Sequence, residues 1–465
     1  MNNELFKNAN DSIKEIISRL EKHINESSFS GKVYIVGGCL RDLILGRPIN
    51  DIDIAVEMEN GGIGFATYLT AKEKCYEMGK NPCVFSSYGT ANFRFTNDND
   101  LKDISIDCVQ TRKNHSHLAT NENVFGTIKD DMKNRDFTIN SLCYNITTQE
   151  LFDYNGTALD DIRKHILRTP IDAETIFTAD PLRILRGIRL ANQLNMGIDS
   201  KTWLGMIQNG HKITNVAQER ISIEFSKILL TEKPSIGIER LKNCGVLDTI
   251  IPDIGCLTCI KNDRRNGGTL YDFMLKVLDT VEPTLVSRLS ALFHNVGKVC
   301  QDKDIPSIVD KFSADVAADD LATMKYPKDI IKKVSTAIRY HRGFSSCCGI
   351  PQDKKLRKFV NLTNDALTET FVLMHTYNLV DKRCQDKKRV LSILQHLEKM
   401  SEQEELNKVS LPINGNDIMK EFNIKGGPAI GILLEEIKDA YFVNPNITKD
   451  ECFEIVEKKL KTLTV

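Results

Sequence analysis

The sequence contains no run approaching the ~18 uninterrupted apolar residues that a membrane-crossing helix requires, so a helical membrane protein is not expected. Net charge is missing as well: 62 Lys and Arg face 63 Asp and Glu, leaving a formal −1. No global basic field attracts a polyanion, and any contact with nucleic acid must rest on local patches. The first residues carry Glu4, Asp11 and Glu15 and lack an apolar core with a cleavage site. That argues against a secretory or transit peptide and for a cytoplasmic address. The 13 cysteines show no framework spacing, and Cys347 and Cys348 are adjacent, so reduced thiols fit better than disulfides. Cys256 and Cys259 form a CxxC without the second pair that would complete a zinc site. Neither an internal repeat nor a low-complexity tract interrupts the chain.

What is present is the make-up of a globular protein, with 41% hydrophobic and 27% charged residues. At 465 residues the chain is too long for one core and is expected to form roughly three or four units. Residues 3–25 read as an amphipathic helix, with Ile13, Ile16, Ile17 and Leu20 at helical spacing. The period then changes. Lys32–Val36 is a short β-rich run ending in Gly37 and Gly38, and Asp51–Val56 alternates strictly, as a strand does. Further strands are expected at 83–86, 91–95, 104–110 and 141–153. From about residue 160 the pattern is helical and punctuated by prolines such as Pro181, Pro234 and Pro327. The polar stretches 261–268 and 344–355 read as loops or linkers. The fold expected is α+β: a mixed sheet with helices, followed by a long helical body.

The chemistry concentrates in the first third. Gly37-Gly38-Cys39-Leu40-Arg41-Asp42 follows a strand directly, and Asp51 and Asp53 come shortly after. Two glycines between a strand and a helix let backbone approach a ligand, and a helix N-terminus favours phosphate. Aspartates at i and i+2 of a strand share a face, so their carboxylates converge and can bridge two Mg²⁺ ions. Alone, the diglycine is as readily a turn and the aspartate pair a solvated strand edge. Their order and closeness point to a metal and a triphosphate.

These residues resemble the tRNA nucleotidyltransferase and bacterial poly(A) polymerase family, within the polymerase-β-like nucleotidyltransferase superfamily. Asp131-Met-Lys-Asn-Arg-Asp-Phe-Thr-Ile-Asn-Ser141 is similar to that family's Arg-Arg-Asp-Phe-Thr-Ile-Asn-Ala block, with Asn134 in place of the first Arg. Ala179-Asp-Pro-Leu-Arg183 resembles its Glu-Asp-Pro-Leu-Arg block, with Ala179 in place of Glu. Glu219-Arg220-Ile221 with Glu224 resembles the helical block that follows, and residues 411–462 also look family-like. The resemblance implies a polymerase-β-like head over 31–165, after an N-terminal helix over 1–30. It also implies an all-helical neck that selects the nucleotide (166–235), a degenerate HD-like body (236–345) and a tRNA-binding tail (346–465).

It further implies template-independent addition of CCA to the 3′ end of tRNA from CTP and ATP, with release of pyrophosphate. Asp51 and Asp53 would hold Mg²⁺ and be catalytic; Asp107 is a weaker third carboxylate. Gly38 and Arg41 would meet the triphosphate, Arg135 the triphosphate or sugar, and Asp136 a 2′-hydroxyl. A helix starting at Asp180-Pro181 would carry Asp180, Arg183 and Arg186 on a polar stripe, opposite Ile184, Leu185 and Ile188. An Asp/Arg pair can hydrogen-bond base edges as a complementary base would; the resemblance makes Asp180 and Arg183 the protein template that selects CTP and then ATP, with Arg186 and Arg189 completing the nucleotide-binding set. Without the other motifs the same pair is an ordinary helix ion pair. A poly(A) polymerase, a CC- or A-adding partial enzyme and a catalytically silent RNA-binding protein stay open as alternatives.

Residues 113–129 form a polar loop, which in the family assists the switch from C to A addition. Arg288–Lys298 resembles the metal-binding His-Asp segment of phosphohydrolase domains, but Asn295 replaces the Asp, Phe273 stands where a His is expected, and Asp315 stands in for another ligand. A scaffold without hydrolase activity is expected, with His294 a hydrogen-bonded core residue. Lys354, Lys355, Arg357 and Lys358, then Lys382, Arg383, Lys387, Lys388 and Arg389, form basic runs. Each is either a solvated face or a track for the tRNA acceptor arm and elbow.

Overall fold

A computed structural model of the chain describes residues 4–6, 9–25, 29–73, 82–85, 89–94, 104–113, 124–262, 267–300, 305–344, 349–381, 387–401 and 410–463. Most of the polar loop, residues 114–123, lies outside them, as do 263–266, 345–348, Lys382, Arg383 and the side chains of Lys387 and Lys388. The chain divides into two compact units, 1–250 and 251–465.

The first unit opens with α1 (Asp11–Asn25), whose Ile13, Ile16, Ile17 and Leu20 are buried as their spacing predicts. Then follow β1 (Lys32–Val36), α2 (Gly38–Ile44), β2 (Asp51–Glu57) and α3 (Gly61–Glu73). Next come β3 (Cys83–Phe85), β4 (Thr90–Arg94), β5 (Ser105–Gln110), α4 (Ile128–Lys133), β6 (Leu142–Asn145) and β7 (Glu150–Asp153). These strands make one seven-stranded sheet of order β3-β4-β5-β2-β1-β6-β7. Only β2 and β5 pair in parallel; the other neighbours are antiparallel. The stretch expected as one strand over 141–153 is a hairpin. The Asn145 side chain accepts from the amides of Thr147 and Thr148 and turns the chain there.

Alternation sets the two faces. In β2, Ile52, Ile54 and Val56 are buried on one side, while Asp51 and Asp53 share the other. Tyr34, Val36 and Ala55 on the aspartate side pack under Ile128 and Met132 of α4. On the opposite side α3 lies against β5, and a Cβ at Gly62 would meet the Gly89 and Cys108 carbonyl oxygens at 2.7 and 2.8 Å.

After the sheet come α5 (Ala158–Arg163), β8 (Ile166–Leu167), α6 (Ala173–Ala179), α7 (Leu182–Gln193), β9 (Gly197–Ile198) and α8 (Ser200–Asn209). The unit ends with α9 (Gln218–Leu229), α10 (Pro234–Asn243) and α11 (Val246–Ile250). A small parallel pair, β8 with β9, interrupts the expected helical run. Among the described residues, the named elements of the second unit are all helices, from Pro252–Cys256 to Lys449–Leu463, with one isolated bridge between Lys261 and Thr269. The α+β expectation, a mixed sheet with helices and then a helical region, holds.

Inside that unit the segment Arg288–Lys298 lies in a packed core. His294 is fully buried, its Nδ1 2.7 Å from the Ala291 carbonyl oxygen and its Nε2 2.8 Å from the Asn295 amide. The rings of Phe273, His341 and Tyr377 surround it at 5.7–5.9 Å between centroids. Asp315 is exposed and pairs with Arg339.

Candidate active site

The end of β1 fixes the floor of the site. Gly37 has φ +75°, and a Cβ there would come within 2.9 Å of the Asp53 carboxylate. A side chain is excluded twice over, by conformation and by space, so the diglycine brings backbone against the acidic strand. Asp53 stands opposite Val36 on one side and Asp107 on the other, and Asp51 opposite Ser105. Asp51, Asp53 and Asp107 therefore lie on one face of two paired strands. Asn92 of β4 donates to both Asp107 and the Ser105 hydroxyl, each at 2.6 Å.

Burial pushes the Asp53 carboxyl up to about 6; Arg135 opposes the rise, while Asp51 and Asp107 add to it. Oxygen donors with surplus negative charge are the chemistry that Mg²⁺ suits, and a cation there would relieve the repulsion. Among the described residues no three His, Cys, Asp or Glu side chains close into a metal cage, so these carboxylates form an open edge.

Above this edge lies a cavity of about 370 Å³. Gly38, Asp53, Arg135, Asp136, Asp180, Arg183 and Arg186 all line it, although they come from three separated blocks. Asp51 is exposed at the start of β2, outside the lining. Arg41 also lies outside: its guanidinium donates to Asp42 and, at 2.7 Å, to Asn140 Oδ1. Arg189 is held by Glu224 at 2.6 Å and by Gln193 at 3.0 Å, away from the lining.

The walls are a chain of charge-assisted bonds. Arg135 donates from Nη2 and Nε to Asp131, at 2.9 and 3.2 Å. Burial works against the Arg135 charge, yet Asp131, Asp53 and Asp136 hold it above its ordinary value. Asp136 accepts from the Phe137 amide and from Asn140, and pairs with Arg186 Nε at 2.6 Å. Burial would raise its carboxyl, but Arg186 and Asn140 hold it below the usual range. Asp180 accepts from the Leu182 amide at 3.2 Å and from Arg220 at 2.9 Å. Arg183, only 8% exposed, donates from Nη2 to the Asn134 carbonyl oxygen at 3.1 Å.

The helix expected from Asp180 begins two residues later. Asp180 ends α6, Pro181 caps α7, and the turn between them aims the carboxylate into the cavity. Asn140, Asp131 and Arg220 were not singled out for the site by sequence reasoning. Asn140 and Arg220 belong to blocks whose order gave the only available signal, and Asp131 opens one of them. Arg220 and Asp180 also line a second cavity of about 470 Å³, beside His211 and Lys212.

Residues 33–168 match the Poly A polymerase head domain, and residues 195–257 the domain described as the probable RNA and SrmB- binding site of polymerase A. The chain is 27% identical to the CCA-adding enzyme of Staphylococcus epidermidis, over 99% of this chain and 100% of that one. It is 24% identical to the CC-adding tRNA nucleotidyltransferase of Thermus thermophilus, over 90% and 91%. Its fold matches that of the Bacillus stearothermophilus CCA-adding enzyme in complex with CTP, with a TM-score of 0.65 at 18% identity and 99% of each chain covered. The head domain and the RNA-binding domain occur in sequence order here, and relatives match almost from end to end; the chain belongs to the tRNA nucleotidyltransferase and poly(A) polymerase family.

Proposed function

We propose that this protein adds C, C and A to the 3′ end of tRNA from CTP and ATP without a nucleic-acid template, releasing pyrophosphate. The observation that carries the reading is one cavity holding both halves of the chemistry: Asp53 of the acidic strand, and the Asp180 and Arg183 pair suited to reading a base edge. The relatives named above support it, one being a CCA-adding enzyme and the other a CC-adding one.

The tRNA 3′-hydroxyl oxygen attacks the α-phosphorus and gives up its proton to solvent, the new O–P bond forms, and the bond to the bridging oxygen breaks as pyrophosphate leaves. Arg135 and Arg186, fixed by Asp131 and Asp136, orient the triphosphate and spread its charge. The backbone at Gly38 lets the phosphates approach closely. Asp180 accepts from an exocyclic amine and Arg183 donates to ring acceptors, a pattern that cytosine and adenine both meet. Enzymes of this family use divalent metal ions; Mg²⁺ held by Asp51 and Asp53 would lower the hydroxyl pKa and stabilise the leaving oxygens.

The reading includes a five-part organisation, with the head at 31–165, the neck at 166–235, the body at 236–345 and the tail at 346–465 after an N-terminal helix. Its support is that all seven strands of the large sheet lie within 31–165. It also includes contact of the tail with the tRNA acceptor arm and elbow, and a cytoplasmic address. No described helix is long and apolar enough to cross a membrane.

The test is incubation with Mg²⁺ and a tRNA lacking its last three nucleotides, supplying CTP and ATP singly and together. Addition of C, C and A followed by a stop is expected. Runs of A would make the protein a poly(A) polymerase. A stop at CC, or addition of A alone to a CC-ended tRNA, would make it a partial enzyme, and no incorporation would leave a silent RNA-binding protein.

A further inference from the structure

Asn134 departs from the arginine that the resembled block carries at this position, and the structure gives it two tasks at once. It is the C-cap of α4, its amide N–H directed at the Asp130 and Asp131 carbonyls at 3.3 and 3.2 Å. Its side-chain NH₂ donates to the Lys113 carbonyl and to the Asp130 carbonyl, both at 2.8 Å. Its own carbonyl oxygen receives Arg183 Nη2 at 3.1 Å.

Lys113 belongs to a clasp of two chain segments. Its amide donates to the Val124 carbonyl, Gly126 donates to the Thr111 carbonyl, and Arg112 donates its amide to Asp131. A Cβ at Gly126 would lie 2.5 Å from the Lys113 nitrogen, so this clasp closes only around glycine. The end of α4 is therefore fixed to it from two sides, by Asp131 accepting and by Asn134 donating. An arginine fixed only by packing would swing through several rotamers. Arg183, which also lies in the field of Asp136 and Asp180, is aimed in part by a backbone carbonyl whose direction the Asn134 amide sets.

We propose that Asn134 is a positioning residue for nucleotide selection: its side chain anchors the end of α4 to Lys113 and thereby aims the carbonyl that orients Arg183 towards the base. Asn134 touches no substrate. Its effect passes through Arg183, so it acts on the choice between nucleotides and not on the transfer step. This inference rests on the CCA-adding reading above.

The test compares Asn134→Asp, Asn134→Ala and Asn134→Gln with the parent in single-nucleotide addition. kcat/KM is measured for CTP, UTP, ATP and GTP on tRNA acceptors lacking CCA and ending in CC, together with thermal melting. Aspartate keeps the shape but has no proton to donate; glutamine keeps the amide. The preference of CTP over UTP and of ATP over GTP is expected to fall about tenfold in the Asp and Ala variants, the factor associated with one lost hydrogen bond. In the Gln variant it is expected to return to within about threefold of the parent. Unchanged preferences in the Asp and Ala variants, or an equal slowing of all four nucleotides, would overturn the proposal. A parent that incorporates nothing would sink the functional reading itself, so the two failures are separable.

Discussion

Asp53 is a carboxylate that the fold holds at a cost in stability. Burial has pushed its carboxyl up to about 6, with Asp51 and Asp107 adding to the rise. A folded pKa above the unfolded value means that the ionised form is the disfavoured one. The penalty is absent below about pH 4, grows as the pH rises through the unfolded and folded values, and is complete above pH 6. Metal-free Asp53→Asn should therefore be more stable than the parent at pH 7.5, by at most about 3 kcal/mol at 1.4 kcal/mol per unit. The two should melt together at pH 4. If Asp53 holds Mg²⁺ as proposed, the added ion should raise the melting temperature of the parent and leave the variant unmoved. Nucleotide addition by the variant should fall at least a hundredfold, the scale on which a lost electrostatic contact to the transition state acts. Melting curves at two pH values, with and without Mg²⁺, decide the point. A variant less stable than the parent at pH 7.5 would mean that Asp53 is a structural partner rather than a strained one.

Among the elements, α7 carries Arg183 and Arg186, which line the cavity. Gly187 sits in its middle, where glycine is unfavourable for a helix by about 1 kcal/mol relative to alanine. A Cβ there would meet Phe137 Cζ at 2.5 Å and Met206 Cε at 2.6 Å. Phe137 follows Asp136 directly, so close packing of α7 on this ring sets the distance from Arg186 to Asp136. Overpacking costs about 1–3 kcal/mol, which outweighs the propensity gain. Gly187→Ala is expected to lose about 1–2 kcal/mol in denaturant unfolding and to raise the KM for nucleotide. Gly62→Ala should cost more, since the atoms in its way are backbone and cannot turn aside. Equal or higher stability of Gly187→Ala would show that Phe137 and Met206 yield freely.

The strands at 32–36 and 51–57 and the convergence of Asp51 with Asp53 follow from a period of two, which needs only neighbours in the chain. The pair β8 and β9 has two residues in each strand, too few to alternate. The turn after Asn145 places Gln149 at φ +57° and has no Asn-Gly or Gly-rich signature. From sequence Arg41 is expected to meet the triphosphate; its guanidinium donates to the neighbouring Asp42 and to Asn140, which lies 99 residues away. Arg183 is aimed by Asn134, 49 residues upstream. Periodicity reports which face a residue occupies; it does not report what meets that face.

For the molecule as a whole, a charge balance of 62 to 63 makes local clusters responsible for any grip on a polyanion. The run at 354–358 divides in two. Lys358 pairs with Asp439 at 2.9 Å, and Arg357 donates to the Phe442 carbonyl at 3.0 Å, so both hold the second unit together. Lys354 and Lys355 are exposed at the start of the same helix, Asp353–Thr363. Phosphate contacts release counterions, and each contributes about 0.7–0.9 to the slope of log affinity against log salt. If the tail follows the tRNA backbone, neutralising Lys354 and Lys355 together should weaken tRNA binding at low salt and reduce that slope by about 1.4–1.8. Lys358→Gln should leave the slope unchanged, because Asp439 already balances the lysine, and should show its effect in thermal melting instead. Filter binding of tRNA between low and moderate salt separates the two. Equal slopes for the Lys354/Lys355 double variant and the parent would make these lysines a solvated face and shift the search for the tRNA track to the later basic run.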